Sequence, residues 1–277
     1  MHTEKLHKEI FHRNYGLVTD EEQEILRRST VAIAGAGGGG GISAERIARL
    51  GVEHIKLADP EVFEESNINR QYASCYSNVG NPKVYEVAKA LRDINPNLRV
   101  DTYPEGISED NIDDFLDGAD ILVEEIEGYY FRIRALLHAA ARKKGIFSMR
   151  CDVFGFCSPL YIFSPTGMTF EEFFGVPPAQ EIPTDMTDAS GVYVEKLLFN
   201  KRYPSSYPVD LIPKMVRKEI PFTVLSFGCT LIGTLTSAAV MKILLSRDEP
   251  IVVPKAVNVD LYNWEIDIID FSDHCGT

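Results

Sequence analysis

The sequence has no CxxC pair. Its five cysteines, Cys75, Cys151, Cys157, Cys229 and Cys275, are irregularly spaced. A four-thiolate zinc site is built from two such close pairs, so no zinc is expected. An odd number of scattered thiols reads as reduced cysteine in a cytoplasmic protein, not as a disulfide framework. Positive charge is also scarce: 28 Lys and Arg against 41 Asp and Glu leave a formal net charge of -13. That surface repels a nucleic-acid backbone, which makes nucleic acid a poor default partner, whereas a phosphate-bearing small molecule needs only backbone N–H groups and a few placed cations. The first residues, MHTEKLHKEIFHRN, are too charged for a secretion signal. One run alone, Phe222 to Leu245, is apolar and long enough to cross a bilayer, with Lys242 its single charge. Its Ser, Thr and Gly suit a helix buried in a protein core or subunit interface, so no membrane partner is expected.

With 45% hydrophobic and 25% charged residues, and neither internal repeats nor low-complexity tracts, the 277 residues are read as one folded domain spanning 1–277. Residues 1–28 form a helical N-terminal arm that includes Glu21 to Arg28. A buried strand, Thr30 to Gly35, meets a glycine cluster; Ile42 to Leu50 is helical, and His54 to Ala58 is a strand that stops at Asp59. The alternation continues with a helix at Val84 to Ile94, a strand at Leu98 to Tyr103, a short helix at Asn111 to Leu116, a strand at Asp120 to Val123 and a helix at Phe131 to Lys144. Strands at Ile146 to Cys151 and Gly155 to Ser164 follow in close succession, and Ala256 to Tyr262 with Glu265 to Phe271 suggest a hairpin around Asn263. The expected fold is α/β: a mixed sheet, mainly parallel, with antiparallel strands in the C-terminal half and helices on both faces. Residues 175–221, rich in Pro, Asp, Ser and Tyr around one helical patch at Val192 to Phe199, read as a mobile crossover region able to cover a site.

The chemistry starts at Gly35-Ala36-Gly37-Gly38-Gly39-Gly40-Gly41. Between a strand and a helix, missing side chains let a phosphate chain approach backbone N–H groups and the positive end of a helix dipole. Asp59 ends the next strand, where an acid receives ribose hydroxyls. These two features make a Rossmann-like nucleotide site and fit a dinucleotide dehydrogenase equally well. Ser66-Asn67-Ile68-Asn69-Arg70-Gln71 and Gly80-Asn81-Pro82-Lys83 break the tie, because amide, guanidinium and ammonium donors suit a triphosphate better than a nicotinamide.

In this order and spacing, the glycine run, Asp59, Glu64 to Gln71 and Gly80 to Lys83 resemble the glycine loop, ribose acid, SNLNRQ box and GxxK lysine of the ThiF/MoeB/HesA family, relatives of ubiquitin-activating enzymes. The resemblance runs, less strictly, from Arg13 through Leu245. It implies an ATP-dependent adenylyltransferase that activates a carboxylate on a small ubiquitin-like carrier, a peptide or a metabolite and releases pyrophosphate. Nucleotide-binding residues would be Gly35, Gly37, Gly38, Gly39, Asp59, Glu61, Asn67, Arg70, Gln71 and Lys83. Catalysis would fall to Arg13, Arg70, Lys83 and Glu127, with Arg13 in His12-Arg13-Asn14-Tyr15-Gly16 reaching in from the partner subunit of a homodimer. The family's DxxDN motif falls on Glu124-Glu125-Ile126-Glu127-Gly128, which makes Glu127 the Mg2+ ligand.

The chain departs from the family pattern in several places. Glu127 is longer by a methylene than the family Asp, Gly128 replaces its Asn, and the CxxC pairs that hold zinc in many relatives are missing. These departures suggest an altered substrate, or a catalytically degenerate ATP-binding partner subunit; an ATP-dependent cyclising dehydratase is a further alternative. Residues 175–221 contain no cysteine, so no thioester is expected there. Cys151 and Cys157 are better candidates for chemistry than Cys229, though packing is the first reading for all three. The aromatic residues of Phe163 to Phe174 are read as an anchor for the crossover region.

Overall fold

A computed structural model describes residues 2–128, 130–184, 209–211, 214–215 and 219–274. Most of the 175–221 crossover, including the helical patch at Val192 to Phe199, lies outside the described residues, as does Cys275.

Eight strands form one sheet in the order β3-β2-β1-β4-β5-β6-β7-β8. The first five, β1 (Thr30–Ala34), β2 (His54–Ala58), β3 (Arg99–Tyr103), β4 (Ile121–Glu124) and β5 (Phe147–Cys151), pair in parallel. β6 (Cys157–Phe163), β7 (Lys255–Asp260) and β8 (Glu265–Asp270) continue the sheet antiparallel. The chain is therefore the expected mixed, mainly parallel sheet with its antiparallel strands toward the C-terminus.

Strand β1 shows why both faces are covered. Val31 and Ile33 point into one apolar cluster, Ala32 and Ala34 into another, and all four are fully buried. On the first face lie α3 (Gly38–Leu50), α4 (Lys83–Ile94) and α8 (Ser226–Leu244), which bury Ile47, Val87, Leu91, Ile232 and Val240. On the second lie α5 (Ile112–Phe115) and α6 (Phe131–Lys143), burying Phe115, Leu137 and Ala141. A third cluster gathers Phe131, Tyr161, Phe163 and Phe271 around Phe170, Phe173 and Phe174 of α7 (Phe170–Phe174). The aromatic segment is thus core.

Two helices precede the sheet, α1 (His2–Ile10) and α2 (Asp20–Arg28), the latter started by a Thr19–Glu22 capping box. They pack against their own domain. His7, Phe11 and Leu26 are buried, His7 Nδ1 lies 2.7 Å from Glu53 Oε1, and Gln23 Nε2 donates to the Leu50 carbonyl at 2.9 Å. The apolar run Phe222 to Leu245 supplies α8, which is long and apolar enough to cross a membrane. Here it lies against α3 at close range: a Cβ on Gly233 would stand 3.0 Å from Ile42 Cγ2.

Candidate active site

Parallel strands deliver their carboxyl ends to one edge of the sheet, and the connections there form the site. After Ala34 the chain turns through Gly35, whose φ of +104° is a left-handed conformation that glycine adopts without strain; a Cβ there would meet the Glu125 carbonyl oxygen at 2.6 Å. Gly38 to Gly41 were expected to be part of a turn but form the first turn of α3. A side chain on Gly40 would collide with the Gly35 carbonyl oxygen, and one on Gly38 would come within 2.7 Å of Cys229 Sγ. The helix N-cap is Gly37, which has no side chain to satisfy the N–H groups of that turn. They are left as donors at the positive end of α3, which suits an anion.

These groups face a cavity of about 580 Å³, within the usual size range of small-molecule sites. Its walls include Gly35, Gly37, Gly38, Gly39, Asp59, Glu61, Arg70, Gln71 and Lys83, together with Glu125 to Gly128 and Arg150 to Phe154. Asp59 Oδ2 accepts the Ala36 N–H at 2.7 Å and its Oδ1 accepts the Glu61 N–H at 2.8 Å, so it also fixes the glycine turn. Burial pushes the Asp59 acid up, against the opposing pull of Lys83 and those two N–H groups. Lys83 opens α4 and is buried, its Nζ donating to Glu61 Oε2 at 2.6 Å. Arg70 Nη1 is held by the Ser66 carbonyl at 2.8 Å and Asn69 Oδ1 at 2.9 Å.

Two expected site residues stand outside this cavity, and a third is exposed on its wall. Asn67 is buried inside its own turn, where its Oδ1 accepts the Glu64 N–H at 3.1 Å, and it does not line the cavity. Arg13 is exposed in a short 3-10 helix and does not line the cavity of its own chain. Glu127 lines the cavity but is exposed.

The sequence reading passed over Glu125, Arg150, Asp152 and the position of Cys229. Glu125 Oε1 accepts the Cys151 N–H at 3.3 Å, and its Oε2 sits where a Cβ on Gly39 would collide with it. Burial drives the Glu125 acid well above the ordinary carboxylate range, with Arg150 pulling the other way. Behind it, fully buried Glu124 accepts from Arg134 Nε at 3.0 Å and Arg150 Nη1 at 2.9 Å, and Arg150 Nε donates to Asp152 Oδ1 at 2.7 Å. The available signal was charge at the ends of apolar strands: Glu124-Glu125 closes β4, and Arg150-Cys151-Asp152 closes β5. Cys229 packs against Gly38 with its thiol pushed up by burial to about 11; burial likewise raises Cys151, and Cys157 to about 12. These three thiols are protonated at neutral pH and poorly suited to nucleophilic work.

The model of the ThiF family matches residues 11–276. Over 133 residues the chain is 34% identical to the tRNA threonylcarbamoyladenosine dehydratase of Bacillus subtilis, covering 48% of this chain and 52% of that protein. It is 30% identical over 133 residues to the sulfur carrier protein adenylyltransferase of Thermus thermophilus, covering 47% and 48%. The chain thus spans about half the length of these curated relatives. Among solved structures, E. coli MccB with ATP superposes with a TM-score of 0.64 over 92% of this chain and 68% of that one, at 18% identity, a likeness of fold. Because the family match spans residues 11–276, and with them the glycine turn, the Arg70 box and Lys83, the chain belongs to the ThiF family.

Proposed function

We propose that this chain is an ATP-dependent adenylyltransferase that converts a carboxylate into an acyl-adenylate. The observation that carries this reading is the single cavity that joins the open first turn of α3 to Asp59, Arg70 and Lys83. The phosphate chain lies on the α3 N–H groups. Each Asp59 oxygen keeps a lone pair for a ribose hydroxyl beyond the backbone N–H it already accepts. A substrate carboxylate oxygen attacks the α-phosphorus, forming one P–O bond as the bond to the β-phosphate bridging oxygen breaks, and pyrophosphate leaves with the electron pair. Lys83 and Arg70 stabilise the charge that grows on the phosphate oxygens. The Thermus relative is named for adenylating a sulfur carrier protein, and MccB was crystallised with ATP; both support the reading.

Mg2+ fits the donor set. Glu125 and Glu127, both on the cavity wall, offer hard oxygen ligands. That suits an ion held by one or two carboxylates and the phosphates together. Such an ion would neutralise charge on the departing pyrophosphate.

Calorimetry with ATP, followed by ATP–pyrophosphate exchange across a panel of carrier C-termini, peptides and metabolite carboxylates, tests the proposal. Asp59→Ala should weaken ATP binding by about 1.5–3 kcal/mol, the worth of a charged hydrogen bond. Unchanged affinity in the folded variant removes Asp59 from the site, and ATP binding without exchange on any carboxylate favours the degenerate-subunit reading.

Arg13, exposed and away from its own cavity, is proposed to serve the partner's cavity in a homodimer. Arg13→Ala and Lys83→Ala proteins, each inactive alone, should then recover about a quarter of wild-type activity per dimer pool when mixed, since half the dimers are mixed and each holds one intact site. No recovery after verified subunit exchange would refute the assignment.

A further inference from the structure

We infer that the side chain meeting the metal of Mg·ATP in this chain is Glu125, not Glu127. The inference rests on the nucleotide reading above and concerns where that site holds its metal. Spacing along the motif selects Glu127, but the fold sends the two carboxylates to different places.

β4 lies beside β1, and the Glu125 N–H donates to the Ala34 carbonyl at 2.7 Å. Its backbone is thereby fixed next to the glycine turn, and its Oε2 abuts Gly39, in the first turn of α3. The Cys151 N–H holds the other oxygen from behind. Two residues on, past the end of the strand, Glu127 is exposed. Glu125 therefore borders the position where the α3 N–H groups would hold phosphate.

The other acids on the wall answer to other groups or stand farther off. Asp59 holds the Ala36 and Glu61 N–H groups and keeps its remaining lone pairs for ribose, Glu61 holds Lys83, and Asp152, which accepts from Arg150 through Oδ1 and leaves Oδ2 without a hydrogen bond, follows β5, two strands away from β1 in the sheet. Glu105 follows β3, two strands away from β1 in the sheet. Once ionised, a carboxylate pressed against a phosphate site repels the ligand unless a cation stands between them, and Mg2+ is commonly held by one or two carboxylates together with phosphate oxygens. The arrangement at Glu125 meets that requirement, and it accounts for a long acidic side chain at the one position where it crowds the anion-binding turn.

Titration of ATP into the protein with excess MgCl2 and again with EDTA tests this by calorimetry. Wild type should bind about tenfold or more tightly with Mg2+. In Glu125→Gln the two affinities should become nearly equal, because the tightening that Mg2+ brings to wild type is lost. Glu127→Gln should keep the wild-type ratio. With Mn2+ in place of Mg2+, the electron paramagnetic resonance signal of protein-bound ion in the ATP complex should persist in Glu127→Gln and be lost in Glu125→Gln. Loss of the metal effect in Glu127→Gln overturns the inference on its own, even if Glu125→Gln does not fold, and so does an unchanged ratio in folded Glu125→Gln. Absence of ATP binding to wild type under either condition overturns the nucleotide reading itself, a different failure.

Discussion

Lys83→Ala is expected to fold normally and to slow ATP–pyrophosphate exchange by about 10²- to 10³-fold, the usual cost of deleting one group that stabilises transition-state charge. Lys83 is 3% exposed, yet its partner Glu61 has a side chain 51% exposed. Deleting the ammonium therefore leaves Glu61 open to water, while Asp59, already raised by burial against the pull of Lys83, can take up a proton in place of the lost charge. The cavity meanwhile loses one of two cations available to phosphate, because the third, Arg150, is taken up by Glu124 and Asp152. Lys83→Arg should rescue poorly, since a planar fork does not reproduce a compact point charge at the start of α4. Exchange measured with the best carboxylate of the panel, alongside the thermal midpoint, separates the two effects. A loss below about tenfold in the folded variant would remove Lys83 from the chemistry.

What the sequence disclosed and what it hid divide along physical lines. Val31 to Ala34 and Ile121 to Val123 were readable as strands because a strand buried on both faces is apolar throughout. Gly38 to Gly41 were not readable as helix, because glycine is a poor helix former in isolation. The fold overrides that preference: Gly40 must approach the Gly35 carbonyl and Gly38 must admit Cys229. Backbone-encoded features of the site, the glycine turn and the acid after β2, were legible for the same reason. Side-chain destinations were not. The spacing from Glu124 to Gly128 selects Glu127 but carries no information about which carboxylate turns toward α3. The pairing of Glu124 with Arg150 depends on the parallel register of β4 on β5, Val123 opposite Met149, which no local pattern reveals. Arg13 lies outside its own cavity, so its role depends on a second chain.

That register also makes Glu124 a position whose loss should cost the fold heavily. Glu124→Gln is expected to lower the unfolding free energy at pH 7 by about 3–5 kcal/mol, the usual cost of removing one partner from a buried ion pair. Glu124 and Arg134 are both 0% exposed, and a neutral amide would take from the buried Arg134 guanidinium its paired carboxylate and from Arg150 one of the acids around it, leaving Asp152 and Glu125. Burial alone would raise the Glu124 acid, but the charges of Arg134 and Arg150, with help from His138, outweigh it and hold the acid below the ordinary carboxylate range. The sign follows. A carboxylate depressed in the folded state stabilises fully above the unfolded value near pH 4, and that stabilisation is lost as pH falls through the folded value. The advantage of wild type over Glu124→Gln should therefore hold constant from pH 7 to about 5 and then narrow by about 1.4 kcal/mol per pH unit below about pH 4. Burial shifts Glu125 and Asp152 upward, an opposite dependence, but both remain in the variant and largely cancel in the difference. Urea unfolding of both proteins in EDTA, without nucleotide, from pH 7 to pH 3 provides the measurement. A gap below about 1 kcal/mol at pH 7, or one that stays constant down to pH 3, would show that the two arginines do not depend on the Glu124 charge.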